Sequence, residues 1–383
     1  RKASAARGAA AAARRVVPLH ATGRRTGYFV WLFAAVVLLA LLGLVMVLSA
    51  SAASALREQG SSWYYFERHA MWLALGCAAM FVTMRVDYRF WRRMAKPVFL
   101  LAVTLMTLVL IPGVGVTVNG STRWISLGPF PLQPSELAKI ALVLFCADLL
   151  ARREDWIPSL LLRPVLVVFG YVAFLLMAQP NLGTTIIVAV IVGTLLFSAG
   201  VPIRNFMPVA LAGAVLAAVA AAAGPYRMRR LVGYRDFWAN RSDEGYQTFQ
   251  SLVSISNGGI TGVGLGASRG KWGYLPYAHT DFIFSIIAEE LGLVGALAVI
   301  LLFLAIGVLG MATAAHAPDR FGMLVAMGIT AWILVQAFMN IGVALGLLPV
   351  TGVPLPFLSS GGSSLIVTLA SFGILMNIAR HAR

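Results

Sequence analysis

Three carboxylates stand at and within one strongly apolar stretch of the chain, "YLPYAHTDFIFSIIAEELG", residues 274–292. Asp281, Ser285 and Glu289 are spaced i, i+4, i+8, which predicts one face of a helix over about two turns. Carboxylates in apolar helices are costly and normally face a cavity or a partner. Asp281, at the end that water can reach, suits a general base or an ordinary helix N-cap. Glu290 points elsewhere on this helix and is expected to pair with a basic or polar group.

A second polar cluster lies in "NGSTRWISLGPFPLQPSELAKIALVLF", residues 119–145. Arg123 falls in a loop, whereas Glu136 and Lys139 are spaced i, i+3 at the start of a predicted helix. Residues at this spacing are neighbours on a helix surface. The pair can therefore neutralise itself inside the protein, which is the preferred interpretation for Glu136, while Lys139 could still reach an anionic ligand.

The third polar stretch is "LLPVTGVPLPFLSSGGSSL", residues 347–365, where prolines and glycines interrupt the helical pattern. Irregular backbone near a membrane is tolerated where it is buried in protein or lines a wet cavity. Backbone N–H groups at the start of the following helix could bind phosphate. The alternative is an ordinary helix start capped by serine. The candidate ligand contacts here are Ser359, Ser360, Gly361 and Gly362.

Composition places the chain in a membrane. Of its 383 residues 60% are hydrophobic and 11% are charged, whereas soluble domains carry about 25% charged residues. The net charge is +16, but most basic residues flank apolar segments, where they set orientation and meet anionic lipid. Nucleic acid is therefore not an expected partner. Cys77 and Cys146 both fall in apolar runs and are expected to be packing residues.

Apolar windows about twenty residues long predict an all-α integral membrane protein with ten transmembrane helices. The segments lie near 28–48, 69–84, 97–112, 136–150, 164–178, 184–200, 205–223, 281–312, 319–346 and 362–379.

Basic residues predict the orientation of these helices. Residues 1–27 are rich in Ala and Arg and are expected to form a disordered cytoplasmic tail before a membrane domain over 28–383. The 85–96 stretch, predicted as an inside loop, is also basic, so the positive-inside rule places both termini in the cytoplasm. Residues 224–280, between helices seven and eight, then form a large extracytoplasmic loop. Its mixture of aromatic and basic residues suits a membrane surface, as a plain interfacial anchor or as a site for a phosphate-bearing lipid.

Taken together, these motifs resemble the SEDS family of polytopic cell-wall polymerases over about residues 28–380. The motifs that carry the resemblance are "NGSTRWISLGPFPLQPSELAKI", "QPNLGT", "SISNGGITGVGLGASRGKWGYLPYAHTDFIF" and "PLPFLSSGG". The "FLSSGG" form is more similar to the division-type branch, FtsW, than to the elongation-type branch, RodA, which tends to carry tyrosine at the position of Ser360. Two positions depart from the usual pattern: Tyr277 replaces a common glutamate and Asn181 a common aspartate.

The resemblance implies an inverting peptidoglycan glycosyltransferase of the bacterial plasma membrane, acting outside the membrane at the division septum. It would polymerise lipid II through β-1,4 bonds and release undecaprenyl pyrophosphate. The family's proposed catalytic aspartate maps onto Asp281 in "AHTDF", and His279 and Thr280 beside it are candidate substrate contacts. Cations would stabilise the leaving pyrophosphate, and a divalent cation, Mg²⁺ or Mn²⁺, is one candidate cofactor. The candidate cations of the chain are Arg123, Lys139, Arg269 and Lys271.

The resemblance also implies partners: a class B penicillin-binding protein, which crosslinks the glycan, and other division proteins. An elongation-type polymerase, a lipid II flippase and a recruiting scaffold are the alternatives. Flippases with alternating access usually have internal repeats and midplane binding sites, and no repeat is evident here. A scaffold would not need Asp281 and its basic neighbours.

Overall fold

The computed structural model describes residues 27–118, 121–128, 130–152, 158–208, 211, 213, 234, 237–243 and 245–382. The predicted tail, 1–27, lies outside these residues except for Gly27, which begins the first helix.

The described part of the chain is mostly helical, with one small sheet. The helices are α1 (Gly27–Gln59), α2 (Tyr64–Arg85), α3 (Tyr88–Leu108), α4 (Pro134–Ala151), α5 (Pro158–Ala178), α6 (Leu182–Ser198), α7 (Tyr246–Gly258), α8 (Ile283–Ala315), α9 (Arg320–Ala344) and α10 (Gly362–His381), and the strands are β1 (Gly115–Val118), β2 (Ser121–Leu127) and β3 (Phe130–Leu132).

Several of these helices can cross a membrane. Within the described ranges, α1, α8, α9 and α10 are each long and apolar enough to span a bilayer, and α2 and α3 meet that requirement only as a pair with a 117° bend between them. Shorter apolar helices occupy Leu162–Ala178 and Leu182–Ser198. The structure thus has the helices of a multi-pass membrane protein, while the predicted count of ten spans is not established by helix length.

Nine of the ten predicted segments fall on described helices, and the remaining one, 205–223, lies largely outside the described residues. The largest boundary differences are at the end of α1, which continues to Gln59, and at the start of α3, which begins within the stretch predicted as a basic loop. Asp87 caps this helix by accepting a hydrogen bond from the Arg89 backbone N–H at 2.8 Å. A good N-cap stabilises the first turn, so the basic residues after it are helical and only residues 86–87 separate α2 from α3.

The three-stranded antiparallel sheet corrects the all-α prediction. Its order is β1-β2-β3, with Gly115 opposite Ile125 and Ile125 opposite Leu132. Thr122 and Thr117 are cross-strand partners, with hydroxyl oxygens 2.7 Å apart. The sheet was not predicted because its strands are short and lie in what hydropathy alone indicates is a connecting loop. It places Arg123 on the central strand.

Close packing against α2 fixes the position of α10. Thr83 donates a hydrogen bond from its hydroxyl to the Ala370 carbonyl at 2.8 Å. Gly373 leaves no space for a Cβ beside Met80 and Thr83. Asn377 donates to the Met84 carbonyl and accepts from the Tyr88 N–H, each at 2.9 Å. Small residues and interhelical hydrogen bonds are the usual means of helix association in membranes, and here they hold α10 against α2.

Candidate active site

A cavity of about 320 Å³ lies where the sheet, the segment before α8 and the segment before α10 meet. Its wall brings together residues far apart in sequence and includes most of the polar motif residues around 123, 281 and 361. The lining residues are Ser121, Arg123, Trp124, Pro131, Gln133, Gln247, Tyr277, Thr280, Asp281, Val350, Thr351, Gly352, Pro354, Ser360, Gly361, Gly362, Ser363 and Ser364.

Asp281 lies in this wall, two residues before α8. The N-cap position of α8 is Phe282, and no side chain caps it, so Asp281 does not serve as the helix cap. A Cβ built on Gly352 would lie 3.8 Å from the Asp281 Oδ2 atom, which places the carboxylate beside the irregular segment before α10. The predicted i, i+4, i+8 helical face therefore holds only for Ser285 and Glu289.

Asn340 on α9 fixes the backbone at Asp281. Its Nδ2 donates to the Asp281 carbonyl at 2.7 Å and to the Val353 carbonyl at 2.8 Å. One buried amide thus connects the carboxylate-bearing segment to the segment before α10. Gln336, one turn earlier on α9, donates from Nε2 to the Pro354 carbonyl at 2.9 Å. Sequence reasoning missed both residues, although two amides spaced i, i+4 in an apolar helix are a signal for a polar cavity.

We expect Asn340→Ala to lower kcat about tenfold or more with little change in KM. Two buried carbonyls lose their hydrogen-bond donor, at a cost of about 1–3 kcal/mol each. Every 1.36 kcal/mol of this cost that raises the activation free energy lowers the rate tenfold. Steady-state turnover of the purified protein measures this, with Asn257→Ala on the exposed face of α7 as the matched control. Equal kcat in the two variants would contradict the positioning role.

Ser359 and Ser360 join the segment before α10 to the segment before α8. Ser359, which is buried, donates from Oγ to the Thr280 carbonyl at 2.6 Å and accepts from the Leu355 N–H at 2.7 Å. The Ser360 N–H donates to the His279 carbonyl at 3.0 Å. Of the predicted contacts, Ser360, Gly361, Gly362 and Thr280 reach the cavity wall, whereas the Ser359 hydroxyl is used inside the protein.

His279 lies behind the cavity wall. Its ring stacks on Tyr65 of α2, with centroids 4.6 Å apart and planes at 29°. Burial lowers the pKa of His279 below its usual value, and the carboxylate of Glu58 acts in the opposite direction. The Tyr65 hydroxyl donates to Glu58 at 2.9 Å, so α2 contacts this neutral ring directly and α1 holds Tyr65 in place.

A lowered histidine pKa makes stability fall in acid. The unfolded chain binds a proton near pH 6.5 while folded His279 remains neutral, so stability is full above pH 6.5 and declines as the pH falls towards the lower folded pKa. We expect the Tm of the purified protein to fall less between pH 7 and pH 5 in His279→Gln than in the wild type. Parallel pH dependence in the two proteins would contradict this.

Arg123 supplies a guanidinium to the cavity wall. Its Nε donates to the Gln179 carbonyl at 3.2 Å, and its Nη2 donates to the Pro180 carbonyl. These bonds to carbonyls at the α5–α6 turn orient the cation. Asn181 in the same turn accepts from the Thr184 N–H at 3.3 Å and so caps α6, a task that the family's usual aspartate would also perform. Tyr277, the other departure, lines the cavity with a φ of 58°.

Lys139 and Glu136 form a buried ion pair behind the cavity rather than in its wall. The Lys139 Nζ lies 2.9 Å from Glu136 Oε1 and donates to Gln336 Oε1 at 2.7 Å. The ammonium also lies 4.8 Å from the centroid of the Trp332 ring. Through Gln336 this cluster supports Pro354 in the wall. A direct contact between Lys139 and substrate stays a prediction.

Glu289 and Glu290 bind the loop before α8, outside the cavity. Glu289 accepts from the Ser268 hydroxyl at 2.6 Å and from the backbone N–H groups of Arg269 and Gly270 at 3.1 and 3.3 Å. Glu290 is 3.0 Å from the Lys271 Nζ, and both side chains are buried. The predicted pairing of Glu290 is thus present.

Ser285 and Arg269 also lie away from the cavity lining. The Ser285 hydroxyl is 2.6 Å from that of Ser251 on α7. Arg269 is exposed, and its backbone N–H, rather than its guanidinium, contacts Glu289. Substrate contacts by Arg269 and Lys271 stay predictions.

A resident metal has few ligands here. Among the described residues, no group of three or more His, Cys, Asp or Glu side chains is placed to hold a metal ion. Asp281 is the one carboxylate among the described residues of the cavity wall. Mg²⁺ is usually bound by one or two carboxylates together with substrate phosphates, so the donor set fits a cation that shares its ligands with a phosphate-bearing substrate.

The site combines one carboxylate, one oriented guanidinium and the N-terminus of α10 in a cavity of a multi-pass membrane protein. These groups suit a membrane transferase that takes a proton from one reactant and stabilises a leaving anion. Residues 30–383 match the model of the FtsW/RodA/SpoVE family, described as "Cell cycle protein". The chain belongs to this family, which confirms the resemblance inferred from its motifs.

Similar proteins support the same class. The chain is 42% identical to a probable peptidoglycan glycosyltransferase FtsW of Mycobacterium tuberculosis over 94% of this chain and 69% of that protein. It is 40% identical to stage V sporulation protein E of Bacillus subtilis over 94% of this chain and all of that protein. A solved chain from a peptidoglycan synthase complex superposes with a TM-score of 0.73 at 31% identity, covering 91% of this chain and 96% of that one. These likenesses confirm the predicted enzyme class, a peptidoglycan glycosyltransferase.

Proposed function

We propose that this chain polymerises lipid II into β-1,4 glycan strands for septal cell-wall synthesis. The observation that carries the proposal is the placement of Asp281, Arg123 and the N-terminus of α10 around one cavity. Relatives named peptidoglycan glycosyltransferase FtsW support the substrate class. The "FLSSGG" form of the motif supports the division-type role.

The reaction follows from this arrangement. The donor sugar is α-linked to pyrophosphate and the product is β-linked, so a single displacement inverts C1. Asp281 accepts the proton of the acceptor 4-hydroxyl as its oxygen forms the bond to C1. The bond from C1 to the pyrophosphate oxygen breaks, and the leaving undecaprenyl pyrophosphate keeps the electron pair. Pyrophosphate requires charge stabilisation more than a proton, and Arg123 provides it together with the backbone N–H groups that begin α10.

The same proposal covers a metal ion. Asp281 and the pyrophosphate oxygens would hold a divalent cation, Mg²⁺ or Mn²⁺, which would neutralise charge on the leaving group. Asp281 would then be shared between metal binding and proton transfer, because the other described residues of the cavity wall offer no second carboxylate.

We further propose the topology inferred from charge: ten spans, both termini in the cytoplasm, and the cavity on the extracytoplasmic side of the bacterial plasma membrane at the septum. The basic first turns of α3 support this orientation. A class B penicillin-binding protein and other division proteins are the proposed partners. The support is a structural relative described as a complex that coordinates polymerization and crosslinking.

Incubation of purified chain and partner with lipid II in detergent micelles tests this function. The partner's transpeptidase is blocked, and the products are separated by gel electrophoresis. Micelles have no second leaflet, so a flippase would leave lipid II unchanged while a polymerase would convert it to glycan strands. Absence of strands from a correctly assembled complex would contradict the proposal.

A further inference from the structure

The outer part of α8 is broken, and a glycine-rich loop occupies the break. Gly292 has a φ of 67° and a ψ of −164°, which no helix contains. Residues 259–265, which follow α7, lie against this point. A Cβ on Gly262 would clash with the Glu290 carbonyl, and one on Gly292 would clash with the Gly262 N–H. The loop therefore approaches the helix backbone as closely as glycine permits.

The loop replaces the hydrogen bonds that the break removes. In a continuous helix the carbonyls of Glu289 and Glu290 would accept from the N–H groups four residues later. Here these two carbonyls accept from Val263 and Gly264 at 3.0 and 3.1 Å. In return the N–H groups of Leu293 and Val294 donate to the carbonyls of Gly259 and Ile260 at 3.0 and 3.3 Å.

Complete exchange of these bonds has a physical reason in a bilayer. Water can satisfy the backbone groups of a helix break at a protein surface, but the hydrocarbon layer offers no such partner. Irregular backbone at membrane depth is therefore tolerated only where protein groups satisfy it. The carbonyls of Glu289 and Glu290 and the N–H groups of Leu293 and Val294 all have protein partners in this loop.

The side chains of the loop are exposed and apolar. Ile260, Val263 and Leu265 have 71, 44 and 61% of their surface exposed. The loop bonds directly to Leu293 and Val294, which begin an exposed stripe along α8. The stripe is Leu293, Val294, Leu297, Leu301, Leu304 and Val308.

The part of α8 after Gly292 is long enough to cross the hydrocarbon layer, which needs about 20 residues. The loop surface thus continues the lipid-facing surface of a spanning helix.

We propose that residues 259–265 are a re-entrant membrane segment whose Ile260, Val263 and Leu265 side chains lie among lipid acyl chains. The bilayer is the partner because the apolar surface is continuous with the α8 stripe. The buried Glu290–Lys271 pair marks the other side of this segment, where the chain returns to polar surroundings. The proposal holds whichever leaflet contains the segment, and it is independent of the reaction proposed above.

Spin labels on single cysteines measure this depth in the purified chain reconstituted in phospholipid vesicles. Cys77 and Cys146 are first replaced by alanine, and cysteine is introduced at Ile260, Val263 or Leu265. Leu301→Cys in the α8 stripe provides the hydrocarbon reference, and Asp243→Cys the aqueous reference. Two reagents collide with the spin labels: molecular oxygen, which concentrates in the bilayer, and a water-soluble nickel chelate, which stays in the aqueous phase.

We expect labels at 260, 263 and 265 to collide more with oxygen than with the nickel complex, as at 301, and the reverse at 243. Preferential collision with nickel at the three loop positions would overturn the proposal. Protection from both reagents would also overturn it, because protein, either another copy of the chain or another segment of the same chain, would then cover the surface.

Two glycine variants test the bond exchange separately. Gly259 and Gly262 both have positive φ, 53° and 83°, so alanine is strained at either position. Only Gly262→Ala adds a clash with Glu290, since a Cβ on Gly259 would meet nothing within 4 Å. We expect Gly262→Ala to shift the label at 265 towards nickel accessibility and Gly259→Ala to leave it unchanged. Equal accessibility in both variants would contradict the role of the exchanged bonds.

Discussion

Asp281→Asn is expected to reduce lipid II polymerisation by roughly 10²–10⁴, the usual contribution of a positioned general base. The amide keeps the shape of the carboxylate but cannot accept the proton of the acceptor hydroxyl. The backbone bond from Asn340 to residue 281 does not involve the side chain, so the cavity wall should keep its position. The measurement is the initial rate of glycan formation by the complex with its penicillin-binding partner.

Asp243→Asn is the matched control, because this aspartate is exposed and lies outside the cavity wall. It should polymerise at the wild-type rate. Complex formation is checked for both variants by co-purification with the partner. An intact Asp281→Asn complex that polymerises at the rate of Asp243→Asn would remove Asp281 from the mechanism.

Glu290→Leu is expected to destabilise the folded protein by about 3–5 kcal/mol, the usual effect of removing one member of a buried ion pair. The loss leaves the Lys271 ammonium buried, and its remaining partners among the described residues, Ser49 and Gly266 at 3.1 and 2.6 Å, are neutral. Thermal unfolding of the purified protein in detergent should show a Tm several degrees lower. Glu67→Leu, at an exposed position of α2, controls for the change of residue type.

The double variant Glu290→Leu with Lys271→Met separates charge from packing. Replacing a whole buried pair by apolar residues is often neutral or stabilising, so the double variant should recover most of the lost Tm. A double variant less stable than Glu290→Leu would contradict an effect of the uncompensated charge. A Glu290→Leu protein as stable as Glu67→Leu would contradict the importance of the pair.

Sequence patterns predicted the elements whose identity depends on composition. Long apolar runs identified α1, α8, α9 and α10, because spanning helices require continuous hydrophobicity. The motif residues Asp281 and Arg123 were predicted as site residues, and the structure places both in one cavity wall. Their roles in catalysis stay predictions that the variants above test.

Tertiary packing determines the features that sequence patterns did not predict. Hydropathy cannot distinguish a short strand from a loop, so the sheet that contains Arg123 was missed. Hydropathy also cannot predict which basic side chains form ion pairs. The salt bridge between Lys271 and Glu290, for example, depends on how distant segments pack. Asn340 was missed for a related reason: its importance lies in two backbone carbonyls that tertiary structure brings together.

The central claim, that the cavity beside Asp281 holds the reacting sugars, is tested most directly by photocrosslinking. A diazirine side chain is introduced in place of Gln247, which lines the cavity, or of Gln250, which lies three residues later on α7 outside the lining. Both proteins are irradiated with labelled lipid II. We predict a crosslink at 247 that unlabelled lipid II competes away, and none at 250. A crosslink at neither position, or equally at both, would contradict the claim.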